Sequence, residues 1–126
     1  MNLPENLLYT SSHEWTHLEG NVATVGITDY AQSELGDIIF VEAPEVGKKV
    51  TAGEPMGSIE AVKTVSDIYA PFSGEVTAVN GQLDETPEVI NTDPYGAGWI
   101  VKIKVSDQAP KDKLLSASKY QASIGH

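Results

Sequence analysis

The chain contains no cysteine, and all eight of its basic residues are lysines, so arginine is absent too. Without cysteine there is no disulfide framework, no thiolate zinc site, no iron–sulfur cluster and no thiol nucleophile. Without arginine there is no guanidinium fork for bidentate contact with phosphate, which disfavours phosphate-rich cofactors. Apolar runs are only a few residues long, too short for a membrane-spanning helix. No basic stretch followed by an apolar one opens the sequence, and no Arg-rich leader does either. The expected location is therefore the cytoplasm if the source is bacterial, and the mitochondrion only if a transit peptide has been removed. Positive charge is scarce as well: 18 acidic residues give a net charge of −10. Such a field is a poor partner for nucleic acid, which needs a cationic patch, and for anionic membrane surfaces.

What is present fits one ordinary domain. The 126 residues are 40% hydrophobic, enough for a single core in a chain of this length. We expect one domain over 1–126, with its core at about 7–106 and a closing helix and tail at about 110–126. Short strands with frequent turns dominate. His13 to Leu18 reads as extended, and Glu19-Gly20-Asn21 as a turn. Ala23, Val25 and Ile27 alternate with smaller or polar neighbours at strand period. A short helix follows to Leu35, capped by Thr28 or Asp29 and closed by Gly36 in a left-handed conformation. Ile38 to Val41 is unbroken apolar sequence, as in a strand buried on both faces.

Further on, Gly53, Pro55 and Gly57 force a bend or an edge. Glu75 to Val79 reads as a strand and Gly81 to Pro87 as a polar loop. Trp99, Val101, Ile103 and Val105 share one strand face. Pro110 and Asp112 could open a helix carrying Leu114 and Leu115, with a fraying tail from Ser116 through His126. This pattern predicts an all-β sandwich or barrel with small helical additions. An echo supports it: Ala43-Pro44 precedes Gly47 and Val50, as Ala70-Pro71 precedes Gly74 and Val76. Two similar hairpins would then meet at a tip near residues 60–65.

Two constellations could carry chemistry. His13-Glu14-Trp15-Thr16-His17 satisfies the H-E-x-x-H zinc pattern. That chemistry needs a helix, which puts both His on one face. Here Gly20-Asn21 ends the segment three residues after His17. A strand would place Glu14 on the face opposite His13, Trp15 and His17, so no metal site is expected. The second constellation is Lys63, the only cation between Val50 and Gly98, where eight carboxylates stand. Nucleophilic lysines need a lowered pKa. Glu60 and Asp67 would instead favour the ammonium. A lysine on an exposed turn serves better as an attachment point for a covalent group, reached by another enzyme's active site.

The segment Glu60-Ala61-Val62-Lys63-Thr64-Val65-Ser66-Asp67 resembles the lipoyl-attachment motif of the glycine cleavage system H-protein family. The likeness extends through Ser12-His13-Glu14-Trp15, Gly26-Ile27-Thr28-Asp29-Tyr30-Ala31-Gln32, Leu35-Gly36-Asp37 and Pro44-Glu45-Val46-Gly47. It continues through Ala70-Pro71-Phe72-Ser73-Gly74-Glu75-Val76, Asn91, Pro94-Tyr95-Gly96 and Gly98-Trp99, collinear from about Tyr9 to about Lys104. Ala61 stands where the family usually has Ser or Thr.

This resemblance implies a lipoyl/biotinyl-type flattened β-sandwich, a barrel-sandwich hybrid, with the modified lysine at a hairpin tip. It implies a non-catalytic carrier of lipoic acid, one per chain, attached to Lys63. Its partners would be a glycine decarboxylase (P protein), an aminomethyltransferase (T protein) and a dihydrolipoyl dehydrogenase (L protein). The arm would be installed by a lipoate ligase, or by an octanoyltransferase with lipoyl synthase. Glu60 and Gly74 match positions read during lipoylation. Ser12, Glu14 and Asp67 match the polar side of a cleft that receives the loaded arm, and Ile27, Ala31 and Leu35 match its apolar wall. A biotin carrier is the alternative within the fold class. Biotin hairpins usually carry Met on both sides of the lysine, whereas Val62 and Thr64 flank it here.

Overall fold

The computed structural model describes residues 2–125. Among these residues nine strands form two antiparallel sheets. The larger contains β1 (Leu8–Tyr9), β2 (Glu14–Glu19), β3 (Val22–Ile27), β5 (Lys49–Val50), β8 (Gly74–Val79) and β9 (Val101–Val105). Their order is β1-β2-β3-β9-β8-β5. The smaller is β4-β6-β7, built from β4 (Ile38–Glu42), β6 (Pro55–Ala61) and β7 (Val65–Tyr69). Both sheets are open, and they pack as a sandwich. Ala23, Val25, Val76, Val101 and Ile103 of the larger sheet bury against Ile38, Val41, Ile59 and Ile68 of the smaller, with Phe72 among them. The alternation read in β3 and β9 is the inward face of these strands. The two echoing Ala-Pro segments lead to β5 and β8, which lie side by side with Val50 opposite Gly74.

The first helix, α1 (Asp29–Leu35), follows its signals. Thr28 Oγ1 accepts from the Ala31 amide at 3.1 Å. Gly36 closes the helix at φ +78°, a conformation that favours glycine.

Four expectations are corrected. Ile38 to Val41 is not buried on both faces, because Ile39 and Phe40 are exposed. The cause is a β-bulge: Ile38 faces Ala61 and Phe40 faces Glu60, so two steps on β4 span one step on β6. The polar loop expected from Gly81 to Pro87 contains a single-turn helix, α2 (Gln82–Glu85), which buries Leu83; a second, α3 (Val89–Thr92), follows it and buries Ile90. Residues Ala109–Lys113 form only a 3₁₀ turn, after which Leu115 pairs in extended form with Tyr9. Finally, the tail from Ser116 does not fray over the described residues. Ser116 caps α4 (Ala117–Ser123), and Tyr120 is fully buried. His126 lies outside the described residues.

The reason for the ordered tail is a second, aromatic core at the β1–β2 edge: Leu7, Tyr9, Trp15, Ala117 and Tyr120. Tyr120 stacks on Tyr9 with ring centroids 5.0 Å apart. Its hydroxyl lies 2.8 Å from Thr28 Oγ1 and 2.7 Å from His13 Nδ1. Burial raises the Tyr120 phenol to about 12, so it stays a neutral hydrogen-bonding group at physiological pH.

Candidate functional site

Strands β6 and β7 form a hairpin whose last ladder pair is Glu60 opposite Val65. The Ala61 amide donates to the Thr64 carbonyl at 2.8 Å, leaving Val62 and Lys63 as the outermost residues. Both are exposed, and neither has positive φ. The tip is not free to wave, because the Val62 amide donates to the Asp37 carbonyl at 3.0 Å. Lys63 makes no ion pair among the described residues. Its stem lies beside the end of α1: a methyl group on Gly36 would sit 3.6 Å from Lys63 Cε. An exposed amine on an anchored tip, without a charged partner, suits acylation.

Asn91 has a role that the sequence did not disclose. From α3 its Nδ2 donates to the Gly36 carbonyl at 2.8 Å and to Gln32 Oε1 at 3.1 Å. Its Oδ1 accepts from the Ile38 amide at 3.0 Å. It thus clamps both sides of Asp37, the residue that anchors Val62. Asn91 is a positioning residue for the tip. Nothing local signals this, because its partners lie 53 to 59 positions away in the chain.

A cavity of about 210 Å³ lies beside the hairpin, between α1 and β6–β7. Ser12, Glu14, Asp67, Ile27, Ala31 and Leu35 all line it, so the structure brings together the six residues expected to form a cleft. His13, Tyr30, Glu34, Ile59 and Ser66 complete it. Asp67 is exposed, whereas Glu14 is 1% exposed. Glu14 Oε1 accepts from the Thr10 hydroxyl at 2.5 Å and the Ser12 hydroxyl at 2.9 Å. Its Oε2 accepts from the Tyr69 amide at 3.2 Å. Glu14 therefore ties the larger sheet to the smaller one. Burial raises its pKa, and these hydrogen bonds oppose the rise. A carboxylate has about four acceptor positions. The Thr10, Ser12 and Tyr69 donors occupy three of them.

The H-E-x-x-H segment is not helical, since β2 begins at Glu14. The two His have separate partners. His13 Nδ1 pairs with the Tyr120 hydroxyl, and His17 Nε2 lies 3.0 Å from Glu19 Oε1. His13 is the only non-glycine residue with positive φ among the described residues, at 74°. This conformation places its ring against Tyr30 and Tyr120. Burial lowers its pKa, with Glu34 acting weakly in the opposite direction. The zinc pattern singled out His13 for the wrong reason: it pairs with Tyr120 and holds no metal-binding geometry.

Glu60 lies on the hairpin itself, exposed and three residues from Lys63. Gly74 lies in the other sheet, at the start of β8. A Cβ there would clash with the Lys104 carbonyl oxygen. The structure thus gives Gly74 a packing role in the β8–β9 contact, and any substitution must move backbone.

Comparison with known proteins adds a second line of observation. The family model described as "Glycine cleavage H-protein" matches residues 7–126. A glycine cleavage system H protein of Rubrobacter xylanophilus is 57% identical over 118 residues, covering 94% of this chain and 91% of that one. One from Brevibacillus brevis is 52% identical over 124 residues, 98% of each. The crystal structure of a glycine cleavage system H protein from Mycobacterium marinum superposes with a TM-score of 0.90. It is 42% identical and covers 98% of this chain and 99% of that one.

Proposed function

The chain belongs to the glycine cleavage H-protein family and acts as a lipoyl carrier in glycine cleavage; on that premise we propose that Lys63 is the attachment residue. The observation that carries this reading is the geometry of the tip: an exposed amine without an ion-pair partner among the described residues, on a loop held by the Asp37 carbonyl. When bound, a lipoyl group supplies a disulfide that can be opened by reduction and can hold a small cargo. The chain's own residues attach, shelter and present that arm. In this reading the protein works as a carrier whose chemistry is done by its partner enzymes.

The expected partners are the glycine decarboxylase, the aminomethyltransferase, the dihydrolipoyl dehydrogenase and a lipoate-attaching enzyme. An arm anchored at one point keeps its cargo at high effective concentration between them. Having no thiol, the chain cannot exchange with the arm's sulfurs. For a bacterial chain like the relatives above, this work belongs in the cytoplasm. Among the described residues, no helix is long and apolar enough to cross a membrane.

The cleft suits a cationic amine. Glu14 and Asp67 each bring a carboxylate to its lining, which favours the protonated amine. Ile27, Ala31 and Leu35 limit water on the opposite side. Glu60 presents charge to the attaching enzyme, and Gly74 acts through the fixed β8–β9 contact.

Two experiments test this reading. Peptide mass mapping after treatment with lipoate, ATP and a lipoate ligase should place one adduct on Lys63 and none elsewhere. An adduct on another lysine contradicts the assignment. For the cleft, amide chemical shifts of Ala31 and Leu35 should change when the lipoylated carrier is loaded with its amine cargo. Glu14→Gln should weaken the change while keeping the fold. Unchanged shifts in the wild type mean that the arm does not dock there.

A further inference from the structure

The large apolar side chains that the structure leaves exposed are concentrated around Lys63. Ile39 is 50% exposed, Phe40 52%, Val62 72% and Val65 61%. The strand register explains how they come together. Phe40 lies directly opposite Glu60, and Glu60 directly opposite Val65. Directly opposed residues share a sheet face. Phe40, Glu60 and Val65 therefore form one row across all three strands of the smaller sheet. Val62 continues this surface to the tip. Ile39 and Phe40 both reach solvent because of the bulge in β4. Exposed apolar residues gathered in one place mark an interaction surface. Acidic residues rim it: Asp37 beside the tip, and the exposed Glu42 and Asp67 two ladder steps further along on the same face, each opposite Ser58.

We propose that this row is the docking surface for the enzyme that acylates Lys63; the proposal rests on the Lys63 reading above. Reach decides among the partners. Acylation joins the carbonyl carbon of an activated lipoyl donor, an acyl adenylate, to Lys63 Nζ. The amide bond forms, the carbonyl–oxygen bond of the mixed anhydride breaks, AMP leaves with the electron pair, and the amine gives up a proton. Before that step the amine is separated from the strand ends only by its own four methylenes. An active site that touches Nζ must therefore enclose the surfaces next to the tip. Enzymes that act on a finished arm meet reactive atoms much further out and have no such requirement. The matching partner surface is an apolar hollow for Phe40, Val62 and Val65 with lysines or arginines around it.

The test uses the full-length, unmodified chain with lipoate, ATP and a lipoate ligase, followed by intact mass against time. Phe40→Ser and Val65→Ser should each raise the KM for the carrier about tenfold, the usual size for loss of an interface anchor. Both should leave kcat and the thermal midpoint close to wild type. Val46→Ser removes an equally exposed residue, 61%, from the turn before β5 and should change nothing. Unchanged KM in both row variants overturns the proposal, as does an equal rise in Val46→Ser. A wild-type dimer in sedimentation that dissociates in Phe40→Ser would assign the row to a second copy of the chain, which also overturns it. Modification mapped to a lysine other than Lys63 would instead remove the reading beneath it.

Discussion

The two ends of this sandwich treat their apolar residues in opposite ways. At the β1–β2 edge of the larger sheet, Tyr9, Trp15 and Tyr120 are closed over by α4 and almost wholly buried. On the smaller sheet, Ile39, Phe40, Val62 and Val65 are left in water beside Lys63. Such exposure gains no stability within the chain, since apolar burial is the main favourable contribution to folding. One end therefore carries the fold, and the other is shaped for something outside it. Glu14 and Asn91 connect the two. Glu14 ties β2 to the Tyr69 amide, and Asn91 ties α1 and β4 to the anchored tip.

This division predicts a graded response to mutation. The largest loss of stability should come from Tyr120→Ala, which removes a buried ring stacked on Tyr9 and the hydroxyl shared by Thr28 and His13. We expect about 3–5 kcal/mol, as for other large aromatic truncations, measured by urea unfolding. A loss below 1 kcal/mol would mean that α4 is not part of the cooperative fold.

Gly74→Ala should follow, at about 1–3 kcal/mol, because its Cβ would meet the Lys104 carbonyl oxygen. Wild-type stability together with slow lipoylation would instead make Gly74 a recognition residue alone.

His13 should show a smaller effect through pH. Its pKa is lowered by burial in the folded state relative to the ordinary 6.5. The folded protein then holds fewer protons on this group than the unfolded chain does. The stability it contributes is complete above pH 6.5 and is lost as pH falls through the lowered value. His13→Asn tolerates positive φ and removes the titration. The gap in thermal midpoint between wild type and variant should therefore narrow as pH falls from 7.5 to below 6. A constant gap contradicts the assignment.

The smallest effect on stability belongs to Lys63→Arg, expected within about 0.5 kcal/mol of wild type, as for exposed sites generally. A larger change in the unfolding midpoint would mean that the tip helps to hold the fold.

How much of this was legible in the sequence follows the same division. Period-two patterns gave β3 and β9, and the Thr28 and Gly36 signals bounded α1, because each depends on neighbours in the chain. The Lys63 tip could be read from the echo of Ala43-Pro44 in Ala70-Pro71, which puts a hairpin tip near residues 60–65, and from the motif around it. The exposure of Ile39 and Phe40 could not, since a bulge is set by the partner strand and the residues alone read as core. The order of the C-terminal tail was missed for a similar reason. Tyr120 is buried by Tyr9, Thr28 and His13, all distant in sequence. Composition suggested fraying, and tertiary packing overrode it. The cleft residues were named through the family resemblance, but the burial of Glu14 came from the structure. Strand alternation placed it only opposite the His face and did not identify the three hydroxyl and amide donors that bury it.

If the chain works through one covalent arm on Lys63, glycine-dependent CO₂ exchange with a purified glycine decarboxylase depends on that residue. The carrier is supplied as wild type or Lys63→Arg after identical lipoylation treatment. The wild type should carry one lipoyl group and support exchange. Lys63→Arg, folded and equally stable, should carry none and support only background exchange. Lipoylation or wild-type exchange in the Arg variant would contradict the claim.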